Sequence, residues 1–173
     1  MRVTAQMSVL GLAVLLLAAS WSLSADPAPT AADAFSRLKS LEGEWQGVSA
    51  KGKKVHLSFV PIAGGTAMME TFKWEGSSQA MTTVYHLDGD SLMLTHYCIS
   101  NNQPRMRAHL PGDQANVLKF DFLDMTNQKA AGDGHMHQAV IRFIDKDHIA
   151  NAWTFYQNGK EAFTETGEYE RLR

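Results

Sequence analysis

The residues best suited to chemistry in this sequence are His96 and Cys98, two positions apart in the stretch THYC. In a β-strand, side chains two positions apart share one face. Such a pair can bind a metal ion or a haem iron, act as a thiolate beside an imidazolium, or orient an organic ligand through hydrogen bonds. A structural zinc ion needs four ligands, and no spacing in the sequence supplies the other two. We therefore expect His96 to orient a ligand; simple packing, or metal or haem binding, is the alternative.

Two further groups of residues are candidates for chemistry. His135 and His137 form a His-x-His pair, a pattern found in zinc and copper sites but, beside a polar loop, more often a solvated surface pair. Glu70 would be a buried carboxylate with a raised pKa if it points inward; such a residue more often alternates outward, away from Met69 and Thr71, and strand parity alone does not settle its direction. A hydrolase or isomerase built on Glu70, Tyr97 and His96 is therefore a further alternative. No Gly-x-Ser-x-Gly, phosphate-loop or His-Glu-x-x-His motif is present, so the sequence favours a binding protein over an enzyme.

Length and composition limit the possible functions. The chain has 173 residues, which is enough for one domain with a substantial core. A formal net charge of −2, without a run of like charges, argues against a nucleic-acid partner and against electrostatic attachment to a membrane. Cys98 is the only cysteine, so the fold cannot use an internal disulfide and must depend on its core.

The N-terminal segment has the pattern of an export signal. Arg2 is its only charged residue, and an apolar run over Val9–Ala19 follows. This run is shorter than the about 20 apolar residues that span a bilayer. We expect residues 1–25 to be a signal peptide cleaved near Ala25, which predicts a periplasmic or secreted protein without stable membrane insertion after cleavage. A retained anchor helix is the alternative.

The rest of the sequence predicts one short helix followed only by strands. Residues 26–42 form a linker and a helix over Ala31–Leu41, which Thr30 is suited to cap. Residues 43–173 contain short segments rich in β-branched and aromatic residues, separated by Gly, Asn and Asp. They predict strands at Glu44–Ala50, Lys54–Pro61, Thr66–Trp74, Gln79–Leu87, Ser91–Ser100, Arg105–Leu110, Asn116–Leu123, Met136–Ile144, His148–Gln157 and Lys160–Arg171. We predict an all-β, antiparallel up-and-down β-barrel of about ten strands; a sandwich is the alternative.

The dipeptide Asn158-Gly159 predicts a two-residue hairpin turn, because both residues tolerate positive φ. Such a turn pairs Gln157 with Lys160, and then Phe155 with Ala162. We expect the face with the large apolar groups to point inward, and it contains Ile149, Asn151, Trp153, Phe155, Ala162, Thr164 and Thr166.

Two further turns assign more side chains to faces. A three-residue turn at residues 145–147 pairs Phe143 with Ile149 and Ile141 with Asn151, and the same parity sends His137 and His135 inward. A two-residue turn within Asp88–Asp90 places alternate residues of the strands before and after it on a common face. We expect the face that contains His96 to point inward. That face holds Met81, Thr83, Tyr85, Leu92, Leu94, His96 and Cys98.

The triplet Gly43-Glu44-Trp45, after the helix and opening the first strand, resembles the Gly-x-Trp signature of lipocalins and related calycins. The resemblance implies that Trp45 closes one end of the barrel and that a basic residue, here Arg171, packs across it. In the nitrobindin-like branch of this superfamily an axial haem histidine lies on a strand near the C-terminus. Residues 160–173 contain no histidine, so the resemblance does not extend to haem binding at that position.

Longer stretches resemble a bacterial family of exported, uncharacterised lipocalin-like proteins. The stretches are GGTAMME at 64–70, YHLDGD at 85–90, THYC at 95–98 and NQPRM at 102–106. The resemblance implies a fold and a compartment but no activity, so function must be argued from the site.

These observations predict an exported barrel that holds a small hydrophobic or amphipathic molecule in its interior; the cofactor, if any, is not identified. The expected ligand-contacting residues are His96, Tyr85, Leu94, Cys98, Arg105, His137, Ile141, Phe143, Asn151, Trp153 and Phe155. A haem or metal protein using His96 is the first alternative, a small hydrolase or isomerase the second, and a structural protein with a solid core the third.

Overall fold

The computed structural model describes residues 29–110 and 116–173. The predicted signal peptide, residues 1–25, lies outside the described residues. In chain order the elements are α1 (Ala31–Lys39), β1 (Gly43–Ser49), β2 (Lys54–Ile62), a 3₁₀ turn (Ala63–Gly65), β3 (Ala67–Trp74), β4 (Ala80–Asp88), β5 (Ser91–Tyr97), β6 (Gln103–His109), β7 (Val117–Thr126), β8 (His135–Phe143), β9 (His148–Gln157) and β10 (Lys160–Arg171).

The ten strands form a closed antiparallel barrel. Each strand pairs with the next one in sequence, and β1 pairs with β10, so the sheet has no free edge. This confirms the predicted up-and-down barrel with one short N-terminal helix and excludes the sandwich. The bounds of β9 and β10 are those predicted, and the other strands differ by a few residues at their ends.

Helix α1 has the capping arrangement expected from its sequence. The hydroxyl oxygen of Thr30 accepts a hydrogen bond from the backbone N–H of Asp33 at 3.1 Å, and the Asp33 carboxylate accepts one from the N–H of Thr30 at 2.9 Å. The buried face of α1 contains Ala34, Phe35 and Leu38, which repeat at helical spacing. With nine residues in α1, no helix among residues 29–110 and 116–173 is long and apolar enough to cross a membrane.

One end of the barrel is closed by Trp45 and Arg171. The buried indole of Trp45 donates a hydrogen bond from Nε1 to the carbonyl oxygen of Leu41 at 2.8 Å. The Arg171 guanidinium lies 4.2 Å from the centre of the indole ring and donates to the carbonyl oxygen of Glu42 at 2.6 Å. Gly43 lies beside it, where a Cβ would be 3.3 Å from the guanidinium. This is the arrangement that the resemblance to calycins implies.

The interior near this end is filled by apolar side chains that pack against one another. The fully buried members include Phe59, Met68, Leu92, Leu94, Met106 and Phe120, with Leu118, Ile141, Phe143 and Ile149 nearly as enclosed. Removing this much apolar surface from water is what holds a barrel without disulfides together.

The turns place β8 and β9, and β4 and β5, in the predicted registers. Phe143 pairs with Ile149 across residues 145–147, and Asp88 pairs with Ser91 across a two-residue turn. The β4–β5 face that contains His96 is the inner one, as expected, because Tyr85 and His96 are both buried.

A β-bulge in β10 corrects the predicted faces of that strand. The hairpin begins as expected with Gln157 opposite Lys160, but Ala162 is an extra residue, so Phe163 and not Ala162 lies opposite Phe155. An inserted residue reverses the alternation beyond it. The predicted inward set Ala162, Thr164 and Thr166 is therefore wrong, and the inner face of β10 carries Phe163, Glu165, Gly167 and Tyr169.

A second bulge, in β8, corrects the predicted direction of His137. Met136 pairs with Phe155 and Gln138 with Thr154, so His137 is the extra residue. Met136 takes the inner position, and His137 stacks on Tyr156 with ring centres 4.0 Å apart. Both predicted imidazoles, His137 and His135, therefore lie away from the interior cavity.

Candidate functional site

The candidate site is a cavity of about 310 Å³ at the end of the barrel opposite Trp45. At this end β1, β3 and β9 finish and β4, β8 and β10 begin, so the lining comes from most of the strands. The lining residues are Ser49, Lys51, Glu70, Phe72, Trp74, Met81, Thr83, His96, Cys98, Ile99, Ser100, Met136, Asn151, Trp153, Phe155, Phe163, Glu165 and Tyr169. Aromatic side chains thus surround a few polar groups, as in sites for small organic molecules.

Glu70 is the buried acid of this cavity. It lies on β3 between Met68 and Phe72 on the inner face and is only 3% exposed. The hydroxyl of Tyr85 donates a hydrogen bond to Glu70 Oε2 at 2.5 Å. Burial raises the pKa of Glu70 to about 7, although the bond from Tyr85 opposes the rise. The carboxyl group is therefore half-protonated near neutral pH.

Tyr85 stays neutral because it shares this environment. Burial raises the pKa of its phenol well above the ordinary value, and the neighbouring Glu70 charge and hydrogen bond raise it further. The nearby Thr83 side chain lowers the pKa of Tyr85 in part. Tyr85 is thus a fixed hydrogen-bond donor to the acid.

His96 is a neutral imidazole in the cavity wall. Its Nδ1 is 3.0 Å from the hydroxyl oxygen of Thr83, and its ring centre is 4.7 Å from that of Trp153. Burial lowers the pKa of His96 to about 4. Its Nε2 is enclosed and has no hydrogen-bond partner among the described residues. Because a buried polar atom without a partner is costly, it marks a position that a ligand group could satisfy.

Tyr169 forms another part of the wall and depends on two glycines. A Cβ on Gly47 would lie 2.5 Å from its ring, and a Cβ on Gly167 would lie 2.2 Å from its hydroxyl oxygen. The ring therefore covers both glycines, and its hydroxyl donates to Asn151 Oδ1 at 3.3 Å. Burial raises the pKa of Tyr169, and the charge of Glu70 adds to the rise.

The mouth of the cavity carries an ion pair and a pair of stacked rings. Lys51 Nζ is 2.8 Å from Glu165 Oε2. The rings of Phe155 and Phe163 are 5.0 Å apart and nearly parallel, and Phe163 is 43% exposed. A guest would pass these groups on entry.

The predicted ligand-contacting residues divide into two sets. His96, Cys98, Asn151, Trp153 and Phe155 line the cavity together. Tyr85, Leu94, Ile141 and Phe143 point inward but are packed into the core beneath it, and of these only Tyr85 acts on the cavity, through Glu70.

Arg105 and His137 do not line the cavity. Arg105 is exposed and forms a bidentate ion pair with Asp124, whose Oδ1 is 2.6 Å from Arg105 Nε. It lies on the outer face because its neighbour Met106 is the inward residue of β6. Tyr97, a member of the hypothetical catalytic group, is 51% exposed and also points away.

Sequence reasoning left Glu70 undecided and missed Glu165 and Tyr169. A signal for Glu70 was present, because Lys73 belongs on the outer face of β3 and parity then sends Glu70 inward. For β10 no comparable signal exists, since the bulge at Ala162 leaves no mark in the local sequence.

The described part of the chain contains no cluster of side chains that could bind a metal ion through several ligands. Over residues 29–110 and 116–173, no group of three or more His, Cys, Asp or Glu side chains is placed to share an ion.

A larger concavity, of about 960 Å³, lies over β1, β9 and β10. It is bordered by exposed charged residues such as Lys54, Glu168 and Glu170. The inner cavity is the better candidate because it contains enclosed polar groups that can fix the orientation of a ligand.

No protein-family model and no curated protein matches this chain. Among solved structures, a protein of unknown function from the DUF3598 family of Nostoc punctiforme has a TM-score of 0.44 and 12% identity over 78% of this chain, which spans about half (49%) of that protein. The structure of EF1p2_mFAP2b bound to DFHBI has a TM-score of 0.35 and 16% identity, covering 78% of this chain and 95% of that one. Similarities this low carry no functional argument.

Proposed function

We propose that this protein binds a small aromatic or amphipathic molecule in the cavity at the open end of its barrel. The observation that carries the proposal is the unequal filling of the interior. The end near Trp45 is packed with apolar side chains, whereas the other end encloses about 310 Å³ around buried polar groups. A structural protein gains nothing from such a cavity, because unfilled core volume costs stability.

The composition of the wall indicates how a guest would be held. Phe72, Trp74 and Trp153 supply apolar contact area, which provides affinity at about 25 cal/mol per Å² of surface removed from water. Glu70 and Asn151 supply directional hydrogen bonds, which set orientation. This division favours a guest with an apolar or aromatic body and a polar end.

Binding is tested with 1-aminoanthracene, a neutral aromatic probe that fluoresces more strongly in apolar surroundings. We expect saturable binding to the wild-type protein and a loss of about tenfold or more in affinity for Cys98→Trp, which fills the entrance. Tyr97→Trp is the control, because it places the same indole at the neighbouring, outward-pointing position. Equal binding to the two variants, or no binding to the wild type, would remove the proposal.

The natural guest is sought by native mass spectrometry of protein purified without denaturation from its own host. A reproducible extra mass that Cys98→Trp abolishes supports the proposal. The absorption spectrum of the same sample tests the haem alternative. A Soret band in the wild-type protein that is absent from His96→Ala would identify the guest as haem and contradict the proposed guest.

We further propose that the protein is exported and that residues 1–25 are removed. The support is the sequence pattern alone, a single charge before a short apolar run. Intact-mass measurement on the protein from the host tests this, since a mature chain starting near Asp26 supports export and a full-length cytoplasmic chain contradicts it.

A further inference from the structure

The charge balance of the cavity wall is acidic. Glu70 and Glu165 both line it, and Lys51 is the one cation among its described lining residues. Lys51 is already paired with Glu165 at 2.8 Å, and its side chain is 66% exposed. No ion pair joins Glu70 to a cation of residues 29–110 or 116–173, so its charge lacks a partner.

The hydrogen-bonding capacity of Glu70 is also only partly used. A carboxylate has about four acceptor positions on its two oxygens. Tyr85 occupies one of them, on Oε2, and no other described residue donates to the group. Since Glu70 lines the cavity, the remaining acceptor positions are available to a guest that donates protons.

His96 presents a second open polar position to the cavity. Its Nδ1 lies 3.0 Å from the Thr83 hydroxyl oxygen, and its enclosed Nε2 has no hydrogen-bond partner among the described residues. The ring therefore offers a guest one further hydrogen-bonding position beside the open acceptor positions of Glu70.

The apolar part of the wall suits a positive charge. Phe72, Trp74, Trp153 and Phe155 line the same space. Aromatic faces attract cations, and the attraction strengthens when the cation is removed from water.

We propose that the guest is an organic cation, an aromatic or alkyl amine, whose ammonium group pairs with the Glu70 carboxylate while its apolar body lies against the aromatic walls. This inference rests on the proposed binding function and adds the chemical class of the ligand. It disfavours fatty acids and other anionic amphiphiles, because an anion would either face a buried carboxylate or require Glu70 to stay protonated.

Amine binding is coupled to the protonation of Glu70. Tyr85, Tyr169, His96, Cys98 and the pair Lys51–Glu165 are the other titratable groups bordering the cavity. Burial raises the pKa values of the two tyrosines and lowers that of His96, which removes these three from the neutral range. An ammonium group stabilises the ionised form of Glu70, so binding releases a proton below about pH 7 and the affinity rises with pH up to that value.

The test compares three indoles of nearly equal size as competitors of 1-aminoanthracene: tryptamine, a cation; tryptophol, which is neutral; and indole-3-acetate, an anion. At about pH 7.5 we expect tryptamine to bind about tenfold or more tightly than tryptophol, and indole-3-acetate to bind most weakly. Glu70→Gln should reduce the tryptamine preference to within about twofold, and Glu161→Gln, an equal loss of charge outside the barrel, should leave it unchanged.

The wild-type pH profile gives a second readout that needs no variant. Tryptamine affinity should rise between about pH 5.5 and pH 7.5 while tryptophol affinity stays constant, with proton release in calorimetry in two buffers of different ionisation enthalpy. The cation assignment is overturned if the probe binds but tryptophol binds as tightly as tryptamine, or if Glu70→Gln still prefers tryptamine. In both cases the binding function stands. If the probe does not bind at all, the binding function itself fails.

Discussion

The opposite pKa shifts of Glu70 and His96 predict a pH dependence of stability that single substitutions should reveal. The pKa of Glu70 rises from 4.5 to about 7 on folding. An unfolded chain releases this proton near pH 4.5 and the folded chain only near pH 7, so between these values the folded state binds more protons. The free energy of unfolding therefore falls as the pH rises through this interval. With about 1.4 kcal/mol for each pKa unit, the loss is about 3 kcal/mol and is complete above about pH 7.

His96 contributes the opposite slope. Its pKa falls from 6.5 to about 4 on folding. Between these values the unfolded state binds more protons, so stability rises with pH, again by about 3 kcal/mol. In the wild-type protein the two slopes nearly cancel between about pH 4.5 and pH 6.5. Glu70→Gln should remove the contribution that falls with pH, so that the unfolding free energy of this variant rises with pH. His96→Gln should remove the rising contribution, so that the unfolding free energy falls with pH.

Urea unfolding followed by tryptophan fluorescence at half-unit pH steps measures these slopes. The difference in unfolding free energy between Glu70→Gln and wild type should increase by about 3 kcal/mol between about pH 4.5 and pH 7, because contributions of all other groups subtract out. Glu161→Gln, an exposed control, should show no such trend. If the difference in unfolding free energy between Glu70→Gln and wild type stays constant within about 1 kcal/mol over this pH range, the raised pKa of a buried Glu70 is refuted.

The remaining predictions concern the wall, the closed end and a corrected residue. Gly167→Ala should destabilise the fold by roughly 1–3 kcal/mol and weaken 1-aminoanthracene binding, because the new Cβ would lie 2.2 Å from the Tyr169 hydroxyl oxygen; unchanged urea midpoint and affinity would contradict this packing. Arg171→Met should cost roughly 2–4 kcal/mol by removing the bonds to backbone carbonyls and the contact with Trp45, while probe affinity at the distant cavity stays the same, as thermal unfolding and titration can show. Arg105→Ala should change neither the melting temperature nor probe binding, since the side chain is exposed; a weaker probe affinity would restore Arg105 to the site.

Short-range sequence patterns were sufficient to predict the barrel and the two residues that close it. Ten short alternating segments and two compact turns led to the observed strand order and to the correct inner face for His96, Trp153 and Phe155. Trp45 and Arg171 could be paired from a resemblance. These features are predictable because alternation, turn propensity and a terminal signature are properties of short stretches of chain.

Which side chains meet in the cavity depends on packing between strands that are far apart in the sequence. A bulge at Ala162 brought Glu165 and Tyr169 inward, and a bulge at His137 removed that ring from the interior and placed Met136 there. One inserted residue reverses the parity of everything beyond it, and whether it is inserted depends on packing across the barrel. At β10 the bulge lets the Tyr169 ring cover Gly47 on a strand more than a hundred residues away, a contact that no local pattern encodes.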